Sequence, residues 1–111
     1  MADDDIEVTA DDVRARFEAG EVQLVDVREP YEWDAGRIPG DVSHVPMGEL
    51  TQRAATIDRD RPVVFQCRVG GRSLMAAQAF RAAGYDAYSL AGGILAWRAA
   101  GHPVDGDVAA H

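Results

Sequence analysis

The stretch that most limits what this chain can fold into is Val63-Val64-Phe65-Gln66-Cys67-Arg68-Val69-Gly70-Gly71-Arg72-Ser73-Leu74. A short β-branched and aromatic run, bounded by Pro62, reads as a buried strand over Val63 to Phe65. From Ser73 onward Ala76, Phe80 and Ala83 recur at helical spacing, and Gly84 is a stop signal. Cys67 therefore stands at the C-terminal end of a strand, on a tight loop that enters a helix. In open α/β sheets that is where ligands bind.

The loop has a definite chemistry. A thiol is nucleophilic as thiolate, and both a helix N-terminus and nearby cations favour that form. The helix beginning near Ser73 and the guanidiniums of Arg68 and Arg72 offer both. Gly70 and Gly71 permit positive φ, so that successive N–H groups from Arg68 through Val69 to Ser73 can turn inward as an anion-binding nest. Arginine adds a planar fork suited to sulfonate or phosphate oxygens. The competing reading of a lone cysteine is a small buried hydrophobe. Unpaired arginine is rarely buried, so its neighbours argue for a reactive site.

Strands and helices alternate through the rest of the chain, which implies an α/β fold with a parallel sheet and helices on both faces. Ile6 to Val8 reads as an edge strand. Thr9 is an N-cap with Asp12 three residues on, and Val13 and Phe17 share a helix face that Gly20 ends. Val22 to Val27 is a strand closing at Asp26-Val27-Arg28. Pro30 opens a short helix to Ala35, and Gly36 to Gly40 is a turn. Asp26 and Arg28 admit two readings: they pair at a strand end, or they brace the cysteine loop. Val42 to Val45 is a strand with a structural His44. Met47, Leu50, Ala54 and Ile57, spaced three, four and three, predict an amphipathic helix. Asp58 to Arg61 is a charged loop. Tyr85 to Leu90 is a further strand, and Ala91-Gly92-Gly93 a second glycine-rich turn, either a wall of the pocket or a packing device. Ile94 and Trp97 face the core from the last helix; Trp33 is read as core in preference to the pocket mouth. Residues 1–5 read as a disordered acidic tail, 6–104 as one domain, and 105–111 as a flexible tail.

Three motifs in order resemble the rhodanese family, the thiosulfate sulfurtransferases. Cys67 to Ser73 resembles its active loop. Leu24 to Trp33 with Gly36-Arg37-Ile38-Pro39-Gly40 resembles a second signature, and Gly92 to Trp97 its C-terminal helix start. Arg37 and Asp41 depart from the histidine and alanine usual there. The resemblance implies a rhodanese-like fold with a five-stranded, mainly parallel sheet. It also implies sulfur transfer through a persulfide on Cys67, with Arg68 and Arg72 holding a small anionic donor such as thiosulfate. The acceptor would be cyanide, a thiol or a protein. A sulfur-relay or docking module for a protein partner is the alternative. Cysteine phosphatases and arsenate reductases carry a longer Cys-x5-Arg loop, usually after histidine; here four residues separate Cys67 from Arg72, and Gln66 precedes it.

Composition limits the remaining classes. A net charge of −8 argues against nucleic acid or an anionic membrane as partner. One cysteine allows no internal disulfide and, with three histidines at no ligand spacing, no zinc site. No metal or cofactor is expected. Met1 to Asp5 lacks the basic and apolar regions of a signal peptide, which gives the expectation of a cytoplasmic protein.

Overall fold

In the computed structural model residues 5–109 are described; most of the expected acidic tail, residues 1–4, lies outside them. Five strands, β1 (Glu7–Val8), β2 (Gln23–Asp26), β4 (Val42–His44), β5 (Val63–Gln66) and β6 (Ala87–Leu90), form one parallel sheet in the order β1-β6-β5-β2-β4. The neighbouring strands β5 and β6 are buried at every position, polar Gln66 and Ser89 included, as expected of strands covered on both faces.

Each face has its own core. Val63, Phe65 and Cys67 pack with Ala76, Ala77 and Phe80 of α4 (Gly71–Ala82) and with Leu50 of α3 (Leu50–Arg53). On the other face Val64, Tyr88 and Leu90 meet Ala10 and Val13 of α1 (Ala10–Glu18) and Ile94 and Trp97 of α5 (Gly93–Ala99). The period-two alternation of β5 and β6 thus divides their side chains between two helical layers.

Local signals act where the sequence places them. Thr9 caps α1, its hydroxyl accepting from Asp12 N at 3.3 Å. Pro30 opens α2 (Pro30–Ala35), where Glu29 N donates to the Glu32 carboxylate at 2.9 Å. The cysteine-loop helix α4 begins at Gly71, two residues before the expected start, because Gly70 at φ +109° serves as its N-cap.

Four expectations are corrected. The helix through Met47, Leu50, Ala54 and Ile57 is broken into a 3-10 turn (Met47–Glu49), one α turn (α3) and a second 3-10 turn (Ala54–Thr56). The same apolar face is still buried, since a 3-10 turn also repeats at three residues. Thr56 donates to the Arg53 carbonyl at 2.6 Å, one of the local bonds that compete with a regular helix.

The Gly36 to Gly40 turn contains a strand, β3 (Gly36–Arg37), and the tail expected to be flexible supplies its antiparallel partner, β7 (Asp105–Gly106). Asp107 N donates to Ala35 O at 2.8 Å, and Val108 is fully covered. Gly36 is fixed by this approach, because a Cβ there would meet the Asp107 backbone. Trp33 lies outside both cores. It is half-buried, stacked flat on His44 at 4.8 Å, with the Arg37 guanidinium 4.7 Å above it. His44 is satisfied as expected, its Nε2–H donating to Arg28 O at 2.8 Å.

Candidate functional site

The register of the sheet assembles the site. β5 lies between β2 and β6, with Asp26 opposite Gln66 and Phe65 opposite Ser89. The cysteine loop therefore emerges between the loop after β2 and the turn after β6. Ile94 N donates to Cys67 O at 2.8 Å and Leu95 N to Arg68 O at 3.2 Å. Gly93, at φ +65°, lies so close that a Cβ there would strike the carbonyls of Cys67 and Arg68. The second glycine turn thus packs directly against the cysteine loop.

Cys67 is 1% exposed and forms the base of the loop. Gly70 N donates to its Sγ at 3.1 Å and Ser73 N at 3.4 Å. These are the loop and first-turn donors that a nest before a helix supplies. The thiol contacts the Ser73 hydroxyl at 3.4 Å, which also reaches Gly70 O at 3.2 Å and Ser89 Oγ at 2.7 Å. Burial pushes the thiol pKa up. Hydrogen bonds from the Ser73 side chain and from the backbone of Ser73, Gly70 and Arg72 outweigh it, so the pKa falls below the ordinary 9.0. Val69, 58% exposed, forms part of the loop's outer surface, beside Gly70 and Gly71.

The arginines are arranged differently from the expected pair of anion clamps. Arg72 makes a bidentate pair with Glu32, Nη1 to Oε1 at 2.6 Å and Nη2 to Oε2 at 3.0 Å. The Arg72 side chain holds the Glu32 carboxyl below its usual 4.5 against the opposing effect of burial. Glu32 in turn raises the pKa of Arg72. Arg68 reaches the other way, its Nη2 donating to Ala109 O at 3.4 Å, while its buried Nε has no hydrogen-bond partner among the described residues.

Asp26 and Arg28 pair with each other at the fully buried end of β2. Asp26 Oδ1 accepts from Arg28 N at 2.9 Å and Oδ2 from Nη2 at 2.7 Å. The guanidinium also donates to Glu32 O and Gly36 O, at 3.3 and 2.7 Å. Of the two readings, pairing at the strand end is the one the contacts show; Arg28 also ties down α2, which carries Glu32 to Arg72. Glu32 and Ser89 are the site residues that sequence reasoning missed. The Glu29-x-x-Glu32 capping spacing could have marked Glu32 as an ordered side chain. Nothing local pointed to Ser89. Among the described residues no cluster of His, Cys, Asp and Glu could hold a metal ion, and no helix is long and apolar enough to cross a membrane.

A five-stranded parallel sheet with a buried thiol in a glycine-arginine loop ahead of a central helix defines an α/β protein of the cysteine-loop class. The chain belongs to the Rhodanese-like domain family, which it matches over residues 9–100. It is 45% identical over 101 residues to the HTH-type transcriptional regulator Rv0324 of Mycobacterium tuberculosis, covering 88% of this chain and only 44% of that protein. A sulfurtransferase of Allochromatium vinosum is 41% identical over 85 residues, covering 76% of this chain and 78% of the relative. The crystal structure of a rhodanese-related protein from Thermoplasma volcanium superposes with a TM-score of 0.82 at 28% identity, covering 91% of this chain and 98% of that one.

Proposed function

We propose that the chain is a sulfurtransferase that takes sulfane sulfur from thiosulfate and passes it on through a persulfide of Cys67. The observation that carries this reading is the Cys67 Sγ at the loop base, facing the N–H groups of Gly70 and Ser73. The thiolate attacks the outer sulfur of thiosulfate, an S–S bond forms to Cys67, and the bond to the sulfonate sulfur breaks with both electrons leaving on sulfite. The persulfide anion left on Cys67 lies among the same N–H donors. Cyanide or a thiolate then attacks the outer sulfur, leaving as thiocyanate or a persulfide and regenerating the Cys67 thiolate.

Arg72 is the cation that meets the sulfonate in this scheme, and Glu32 fixes the direction of its fork. Arg68 anchors the loop to the last helix, its carbonyl accepting from Leu95 N. The family match and the sulfurtransferase relative support sulfur transfer, and the four-residue gap between Cys67 and Arg72 favours sulfur over phosphate. The test is intact-protein mass after brief exposure to thiosulfate. Wild type should gain one sulfur atom, reversibly with cyanide, and Cys67→Ser should gain none. No adduct on fully reduced wild-type protein would remove thiosulfate as donor.

A second reading is favoured by the 45% identity to a transcriptional regulator: the same loop serves a protein partner, as a relay or docking module. Feeble thiosulfate turnover together with sulfur exchange to a captured protein would decide for it.

A further inference from the structure

Ser89 is a hydroxyl in the wrong surroundings. It lies on β6, 1% exposed, on the sheet face where its neighbours Ala87 and Phe65 belong to an apolar core. An unpaired hydroxyl there would be costly. Its side-chain contact is Ser73 Oγ at 2.7 Å, and Ser73 is the residue whose hydroxyl and N–H both face Cys67 Sγ.

The protons on this chain of three side chains can be counted. Ser73 carries one hydroxyl proton and has three neighbours: Sγ, Gly70 O and Ser89 Oγ. When Cys67 is a thiol, its S–H donates to Ser73 Oγ, and Ser73 donates to Gly70 O. When Cys67 is a thiolate, it can only accept. The Ser73 proton must then turn to Sγ, and Gly70 O keeps the bond from Leu74 N at 3.0 Å. In both states the lone pair of Ser73 that faces β6 needs a donor, and Ser89 is placed to be that donor. A hydroxyl that accepts one hydrogen bond donates the next more strongly.

We propose that Ser89 is a positioning residue of the sulfur-transfer site: it donates to Ser73 and so aims the Ser73 hydroxyl proton at the Cys67 sulfur. The inference rests on Cys67 being the nucleophile, but its test needs no sulfur donor.

The experiment is the pH profile of Cys67 alkylation by iodoacetamide on the full chain. Variants are Ser89→Ala, Ser73→Ala and the double variant, each checked for folding by circular dichroism. Ser89→Ala should move the midpoint upward, lowering the thiolate fraction below the midpoint about two- to tenfold, the range expected of one hydrogen bond. Because Ser89 acts through Ser73, the double variant should titrate like Ser73→Ala alone. An unmoved midpoint in folded Ser89→Ala, or additive shifts in the double variant, would overturn the proposal. If Ser89→Ala does not fold, Ser89→Thr and the isosteric Ser89→Val give the same comparison: threonine should hold the midpoint and valine should raise it, and equal midpoints would sink the idea. A raised midpoint without a thiosulfate adduct would retire thiosulfate as donor and leave Ser89 in its role; an adduct with an unmoved midpoint would do the reverse.

Discussion

Arg72 shows how far the neighbours of a charge decide what it can do. Counted as a free cation beside a thiol, it is an anion clamp; with Glu32 across its fork it is half of an ion pair. The carboxylate takes away much of the net field while it fixes the guanidinium plane, so orientation is gained and attraction lost. Glu32 titrates below its ordinary 4.5 in the folded chain, mainly because of the Arg72 hydrogen bonds. The stability linked to that shift is therefore complete above about the unfolded glutamate value and drains away as the pH falls through the lowered folded one. Glu32→Gln should destabilise the chain by about 1–2 kcal/mol at neutral pH, discounted because the Arg72 side chain is one-third exposed. It should also flatten the acid limb of a stability curve measured by urea unfolding from pH 7 to pH 3. An unchanged acid limb would show that the pair contributes nothing to folding.

At the scale of elements, the site is the meeting of three strand ends. β5 delivers the thiol, β2 with α2 delivers Glu32, and β6 delivers Ser89 and the close-packed Gly93 turn. The Asp26–Arg28 pair is the joint of the second of these. Arg28 ties β2 to the carbonyls of Glu32 and Gly36, at the two ends of the last turns of α2. Both side chains are fully buried. Removing one charge therefore leaves the other uncompensated, and Asp26→Asn should cost about 3–5 kcal/mol, read as a loss of denaturation midpoint. Under the proposed function, any variant that remains folded should also show a higher thiosulfate KM with Cys67 alkylation little altered, because the damage reaches Arg72 through α2 and spares the thiol's own donors.

At the scale of the whole molecule, the segment after α5 belongs to the fold. It returns across the sheet end to pair with β3, seats Val108, and offers Pro103 O to the Trp97 indole at 2.8 Å and Ala109 O to Arg68. Removing residues 105 onward should destabilise the chain by about 2–3 kcal/mol, the value of a buried valine with its lost strand bonds. The guanidinium of Arg68 would then be free to reorient, and under the proposed function the change should appear as altered thiosulfate KM. A truncated chain of full stability would show that β7 merely rests on the surface.

Much of this architecture was written locally. Val63-Val64-Phe65 running onto two glycines and into a helix defined the strand, the turn and the N–H donors around Cys67, because strand pattern, turn chemistry and helix termini depend on residues a few places apart. Thr9, Pro30 and Gly84 marked element ends for the same reason. The resemblance of three motifs carried the fold further, to five strands. What the chain could not state by itself was the partner of each long or polar side chain. Glu32 lies 40 positions from Arg72, Ser89 is 16 from Ser73, and Ala109 is 41 from Arg68. Val108 is a single apolar residue with no period to mark it. Those choices were made only when parallel pairing brought the ends of β2, β5 and β6 together, since a flexible guanidinium or a lone hydroxyl takes whichever partner the closed sheet sets within reach.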